Sequence, residues 1–248
     1  MAPSRRADRR ALEVAARPAR HAVYVWELPV RIVHWTIVLA LIVLSITGFY
    51  IYDPFLGGGG SAGHPGFTMG WVRFIHESAG FVFTAAVLVR VYWAFAGNRY
   101  AHWRALLPLK RSQWRDLRDM INFYLLRRQN PPRANGHNPL AALAYLAVYL
   151  LFALSIISGL GLYAWVGRIP LWRTLFGWTW TVLPIEQLRL LHFLLMFVFG
   201  AFMVFHVYCS ILVDVNERNG ELSSIVTGYK ANVLEGETPR DDPARLSG

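Results

Sequence analysis

The chain has 248 residues, 55% of them apolar, with a net charge of +10 and a mean hydropathy of +0.33. Apolar runs longer than about 18 residues exclude an ordinary soluble domain and point to membrane helices. One cysteine excludes an intrachain disulfide and a thiolate metal cluster supplied by this chain alone, and no CxxCH is present for covalent c-type haem attachment.

Residues 1–31 hold seven Arg against three acids. The Arg5-Arg6 and Arg9-Arg10 pairs precede no short apolar segment with a cleavage site, so residues 1–21 read as a cytoplasmic tail and no cleaved signal is expected. A four-helix membrane domain is expected over residues 22–215. Its first helix spans about 32–52, with His34 close to its start, and stops at Asp53-Pro54 before the run Gly57–Gly60. The charge there is sparse, only Asp53 and Arg73, which suits the periplasmic side. The second helix, 74–96, places His76 near its start and Arg90 near its end. Residues 97–139 hold nine Lys/Arg and two Asp, a cytoplasmic signature. Within that segment Trp114, Leu117, Ile121, Tyr124 and Leu125 share one helical face. Arg111, Arg115 and Arg118 lie elsewhere, so an amphipathic helix is expected on the membrane surface or against a partner.

The third helix, 140–165, contains neither histidine nor charge. The connection 166–188 carries Trp172, Phe176, Trp178 and Trp180, suited to a periplasmic interface or a docking surface. The fourth helix, 189–213, leads into a polar cytoplasmic tail, 216–248. The expected fold is therefore all-α: an integral membrane four-helix bundle with both termini cytoplasmic. Because the basic residues flank apolar runs, the net charge is assigned to membrane orientation and not to nucleic-acid binding.

The fourth helix is the most informative. His192 and His206 sit fourteen residues apart in an apolar run. Fourteen helical residues rise about 21 Å and return to within about 40° of the starting face. Both imidazoles thus project from one side, near opposite edges of a hydrocarbon layer about 30 Å thick. Titratable groups at such depth default to function. Topology then sorts four histidines into two layers, His34 with His206 on the cytoplasmic side and His76 with His192 on the periplasmic side. Each layer offers two imidazoles from different helices, as axial ligation of a flat macrocycle requires. Bis-histidine haem fills both axial positions and so favours electron transfer over oxygen chemistry. A lone membrane histidine can simply bond a hydroxyl or a backbone carbonyl, and imidazole also suits zinc or copper. Four histidines at two matched depths favour two b-type haems. His21, His64, His102 and His137 fall in expected tails or loops, where solvent-exposed or capping roles suffice.

Arg31 and Arg90 fall near the cytoplasmic layer, Arg73 and Arg189 near the periplasmic one. A guanidinium fork matches a haem propionate, while snorkelling to lipid phosphate is the alternative for each. Arg90, the deepest, is the best propionate partner. Glu77 can pair with Arg73 one turn away. Gly80 follows His76 by one turn and would let a porphyrin approach, with close helix packing as its other use.

The stretch RIVHWTIVLALIVLSITG at 31–48 resembles the first-helix motif of cytochrome b subunits of membrane-bound nickel–iron uptake hydrogenases. RLLHFLLMFVFGAFMVFH at 189–206 resembles that family's second motif, and GHNPLA at 136–141 and SSIVTGYK at 223–230 are also similar. Phe193 departs from the basic residue or second histidine often found after the first ligand in the second motif. The cytochrome b subunit of membrane formate dehydrogenases is a broader relative. The resemblance implies a bacterial inner-membrane anchor and electron conduit. Its partners would be the iron–sulfur small subunit and the large subunit of a periplasmic nickel–iron hydrogenase. The acceptor would be membrane quinone, menaquinone or ubiquinone, reduced near the cytoplasmic haem. There His137 and Asn138 could bond a quinone carbonyl, or Asn138 could cap the third helix with Pro139 at its first position. The alternatives are a formate dehydrogenase or another periplasmic oxidoreductase as partner, or a haem-free anchor or transporter whose histidines relay protons.

Overall fold

In a computed structural model of the chain, the described residues are 21–54, 68–105, 117–119, 121–122, 125, 127, 139–167, 169–217 and 220–232. In order, the elements are β1 (His21–Tyr24), α1 (Leu28–Tyr52), α2 (Thr68–Ala96), a 3₁₀ turn (Trp103–Ala105), α3 (Pro139–Val166), α4 (Pro170–Phe176), α5 (Thr179–Val182), α6 (Ile185–Glu217), α7 (Glu221–Thr227) and β2 (Tyr229–Asn232). Four segments are long and apolar enough to cross a membrane: Leu28–Tyr52, Thr68–Ala96, Leu143–Val166 and Ile185–Val215. They are the four expected helices, and they make this an integral membrane protein.

Three of the four begin well before their apolar runs. Against expected starts at 32, 74 and 189, α1 begins at Leu28, α2 at Thr68 and α6 at Ile185. The added first turns contain polar residues, such as Thr68 in α2 and Glu186 in α6, that hydropathy alone does not count. Backbone hydrogen bonding continues beyond the hydrocarbon, so helices outlast the apolar stretch that places them. His76 and His192 consequently lie about two turns inside their helices instead of at the ends.

Residues 28–205 form one compact unit. Along α1 the buried side chains Val33, Ile37 and Ala40 recur at helical spacing. Ile32, Leu39 and Ile46, seven residues apart, are 57%, 62% and 65% exposed. A helix apolar on both faces suits lipid outside and protein inside. The core joins Val33, Ile37 and Ala40 to Phe83, Ala86 and Val87 of α2, Val148 and Phe152 of α3, and Leu195 and Phe199 of α6. Phe152 is its hinge, with its ring 5.2 Å from Phe83, edge-on, and 5.6 Å from Phe199. Aromatic pairs at such separations contribute about 0.5–1.5 kcal/mol beyond their buried area.

The aromatic connection folds as α4 and α5. Trp172 lies 5.6 Å from Phe81 and 5.8 Å from Tyr163, and Trp165 lies 5.3 Å from Trp180. Trp178 is 51% exposed, so this segment keeps an outward aromatic face. The expected amphipathic helix is described only in part. Residues 117–119 and 121–122 are helical, Leu117 is buried, and Arg118 is exposed.

The second unit contains residues 21–27 and 206 onward. Residues 220–232, expected within a plain tail, are folded here. β1 pairs antiparallel with β2, His21 opposite Asn232 and Tyr24 opposite Tyr229. α7 is bounded by two left-handed glycines, Gly220 (φ 74°) and Gly228 (φ 89°). The Gly228 N–H donates to Ser224 O (2.7 Å), and its carbonyl accepts from Val25 N (2.8 Å) and Trp26 N (3.1 Å). An added Cβ on Gly228 would sit 2.7 Å from Tyr24 Cε2 and 2.9 Å from the Trp26 carbonyl, so glycine is required there. Ser224, fully buried, accepts a hydrogen bond from Trp26 Nε1 (3.2 Å), and Lys230 pairs with Glu221.

Candidate functional site

The four spans of the first unit leave a cavity of about 600 Å³, lined by residues of α1, α2, α3 and α6. That volume lies within the range of about 300–1,000 Å³ typical of small-molecule and cofactor sites. His76 from α2 and His192 from α6 both line it, with ring centroids 6.3 Å apart and ring planes at 80°.

Each imidazole is held from behind in the same way. Nδ1 of His76 lies 2.8 Å from Thr47 Oγ1, and Nδ1 of His192 lies 2.8 Å from Ser158 Oγ. Each hydroxyl already gives its proton to its own helix. Thr47 Oγ1 donates to Val43 O (2.7 Å), and Ser158 Oγ donates to Ser155 O (3.1 Å). Toward the rings these oxygens are therefore acceptors. Assigned from this network, Nδ1 carries the proton in both rings and Nε2 carries the lone pair. Among the described residues, Nε2 of neither ring takes part in a hydrogen bond.

The residue after each hydroxyl is glycine. A Cβ on Gly48 would lie 3.2 Å from His76 Cε1, and one on Gly159 would lie 3.0 Å from His192 Cε1. The rings occupy the space those side chains would fill. The site is thus built twice over: α1 and α3 each supply a hydroxyl followed by glycine, and α2 and α6 each supply a histidine.

A b-type haem fits this donor set. A metal–nitrogen bond of about 2 Å on each side, with each ring centre about 1 Å beyond its nitrogen, puts two axial imidazole centroids about 6 Å apart. The observed separation is 6.3 Å. Gly80 lines the same cavity, and an added Cβ there would meet nothing closer than Leu44 Cδ2 at 4.0 Å, so the wall beside His76 is open. No group of three or more His, Cys, Asp or Glu among the described residues is arranged for a bare metal ion. Two imidazoles alone leave such an ion under-coordinated, whereas a porphyrin supplies the other four nitrogens.

The remaining expected residues divide. Arg73, Arg189 and Glu77 line the cavity, and Arg73 acts electrostatically on Glu77. Arg90 lies over Tyr149, 5.8 Å from its centroid, and donates to Ala101 O at 3.5 Å. His34 lies edge-on to Trp35 at 5.3 Å, and Arg31 is half-buried on the same helix. His206 is on α6 in the other unit, where the Glu221 carboxylate acts electrostatically on it. The geometry assembled here is that of His76 with His192. His137 and Asn138 lie outside the described residues. His102 is a local turn residue, its Nδ1 accepting from Arg104 N at 3.3 Å.

Sequence reading missed Thr47, Gly48, Ser158 and Gly159. Their signal was present: a hydroxyl followed directly by glycine occurs in the first and third apolar runs, TG at 47–48 and SG at 158–159. It also missed Tyr52, whose ring stacks on Phe193 at 4.0 Å and 14°, both residues lining the cavity.

The family described as prokaryotic cytochrome b561 matches residues 25–228. The "Probable Ni/Fe-hydrogenase 1 B-type cytochrome subunit" of Escherichia coli K12 is 36% identical over 214 residues, covering 84% of this chain and 91% of that protein. The "Probable Ni/Fe-hydrogenase B-type cytochrome subunit" of Cupriavidus necator is 34% identical over 221 residues (88% and 90%), and that of Bradyrhizobium diazoefficiens is 35% identical over 215 residues (85% and 87%). With four apolar spans, a paired-histidine cavity and these matches, the chain belongs to the prokaryotic cytochrome b561 family.

Proposed function

We propose that this chain is the di-haem cytochrome b anchor through which a periplasmic nickel–iron hydrogenase delivers electrons to the membrane quinone pool. The observation that carries the reading is the His76–His192 pair, 6.3 Å apart across a cavity with both Nε2 atoms available. His76 and His192 would hold the haem, which would supply one-electron exchange and, with no ligand position left open, would disfavour oxygen binding.

The residues of the chain supply the rest. His76 and His192 are the ligands on the periplasmic side, and Arg73 and Arg189 stand at the same cavity as cations for propionate. His34 and His206 are the ligands of a second haem on the cytoplasmic side, with Arg31 and Arg90 as its propionate partners. Fourteen residues of α6 separate His192 from His206, about 21 Å along the axis, which suits two cofactors in series and excludes one shared iron. In this reading both termini lie in the cytoplasm of a bacterium, which the basic segments 1–31 and 97–139 support. The relatives' names, B-type cytochrome subunits of Ni/Fe-hydrogenase, support a hydrogenase partner; in this reading its iron–sulfur small subunit passes electrons to the haem held by His76 and His192. Quinone reduction then falls beside the cytoplasmic haem, with His137 and Asn138 as candidate contacts.

In membranes holding the complete complex, hydrogen should reduce b-type haem and then quinone. His192→Ala should abolish both reductions while leaving hydrogen-dependent reduction of an artificial soluble acceptor intact. Undiminished quinone reduction in that variant would overturn the proposal.

A further inference from the structure

We infer that Thr47 and Ser158 are positioning residues for the His76–His192 haem: they hold its two axial imidazoles at nearly right angles and lower its midpoint potential. The inference rests on the reading of this pair as haem ligands. It assigns roles to two hydroxyls and two glycines that the electron path does not require.

Three observations converge. Each hydroxyl donates its only proton to its own helix, leaving lone pairs to accept from Nδ1–H at 2.8 Å. An imidazole that gives its Nδ1 proton to an acceptor is more basic at Nε2. A more basic axial ligand stabilises ferric over ferrous iron, so both bonds push the potential down. Ser158 is also 1% exposed and Thr47 9% exposed, so both oxygens reach the rings shielded from solvent. Finally, each ring brings its Cε1 close to a glycine. Gly48 approaches His76 and Gly159 approaches His192, with a Cβ clearance of 3.2 and 3.0 Å respectively. Hydrogen bond and glycine together fix each ring about its Cβ–Cγ axis, and the two constraints leave the planes 80° apart.

The perpendicular setting has a spectroscopic consequence. Crossed axial imidazoles leave the iron π orbitals nearly degenerate, which gives ferric low-spin haem a strongly anisotropic electron paramagnetic resonance signal with a large principal g value. Rings freed to turn toward parallel give a more rhombic signal. A merely structural role for the hydroxyls would move neither this signal nor the potential.

The test uses the full-length protein in detergent with Thr47→Val, Ser158→Ala, the double variant, and the exchanges Thr47→Ser and Ser158→Thr. Haem content, the ferric spectrum and a redox titration are measured on each. Outer-sphere partners of metal ligands are worth about 10–100-fold. A tenfold change in relative ferric over ferrous affinity is about 59 mV for a one-electron couple. The expected result is an upward shift of that size in one of two haem components for Thr47→Val or Ser158→Ala, larger in the double variant, with a more rhombic signal. The hydroxyl-keeping exchanges should restore both readouts. Loss of haem in Thr47→Val with retention in Thr47→Ser also supports the assignment. Full haem content with unchanged potential and unchanged signal in the double variant overturns it. His192→Ala is measured in parallel. If that variant keeps both haems, the ligand reading itself fails; if it loses one while the hydroxyl variants are silent, only the positioning role fails.

Discussion

Gly159→Ala adds one methyl group at the tightest point of the site. The new Cβ would stand 3.0 Å from Cε1, 3.6 Å from Nε2 and 3.7 Å from Nδ1 of His192. Carbon atoms pack best at about 3.5–4.0 Å, so the ring must retreat by about 0.5 Å or more. It cannot retreat freely, because Nδ1 is held at 2.8 Å by the buried Ser158 on the same helix. A retreat of that size takes the bond past the good range of about 2.7–3.2 Å. Two effects oppose each other in stability: overpacking costs about 1–3 kcal/mol, and exchanging a helical glycine for alanine returns about 1 kcal/mol. Only the first reaches the cofactor, because α3 is helical with or without haem and its propensity cancels from the binding equilibrium. A displaced ligand should therefore lower haem affinity about 10–100-fold, about 1.4–2.7 kcal/mol. The assay is haem per polypeptide after purification, followed by reconstitution at graded haem concentrations. Gly200→Ala on α6 is the control, since its Cβ meets nothing within 4 Å. Wild-type haem affinity in Gly159→Ala, or an equal loss in Gly200→Ala, would refute the reasoning.

Other variants separate cofactor from scaffold. Gly80→Ala has room in the protein itself, its nearest neighbour being Leu44 Cδ2 at 4.0 Å. Stability without haem should hold or rise by up to about 1 kcal/mol, while haem retention falls, as paired thermal melts and haem assays would show. Arg73→Gln with Arg189→Gln removes both cavity-lining cations. This pair should weaken haem retention about tenfold and lower the potential of a haem held by His76 and His192, because losing positive charge beside the iron favours the ferric state, read by redox titration. Gly228→Ala forces a side chain into φ 89° against Tyr24, a strain of about 1–3 kcal/mol. Limited proteolysis should then cut within residues 220–232, with occupancy of the His76–His192 site unchanged.

How much of this was legible beforehand differs by feature. The four spans were readable because hydropathy reports on lipid contact directly, and their number and order hold. Their starts were not, because polar residues such as Thr68, Glu186 and Gln187 interrupt the apolar signal in the first turns of α2 and α6. The pairing of His76 with His192 followed from depth alone, and depth is a one-dimensional quantity set by counting residues along helices. Which side chains stand behind the rings depends on rotation about each helix axis, fixed only when Val33, Phe83, Phe152 and Phe199 pack together. Thr47 and Ser158 therefore looked like ordinary polar residues in apolar runs. The β1–β2 ribbon was hidden for another reason: each strand has four residues, too few for a period, and they lie about 200 positions apart. The Gly228 cap after Ser223-Ser224-Ile225-Val226-Thr227 was the visible trace of that turn.

The central claim is that the His76–His192 cavity holds a haem and that a second haem belongs to His34 and His206. Haem per chain, measured on purified wild type, His192→Ala and His206→Ala, tests it most directly. Two haems are expected in the wild type and one in each variant, with the component lost from His192→Ala differing in potential from that lost from His206→Ala. A single haem in the wild type, or loss of the same component from both variants, would contradict it.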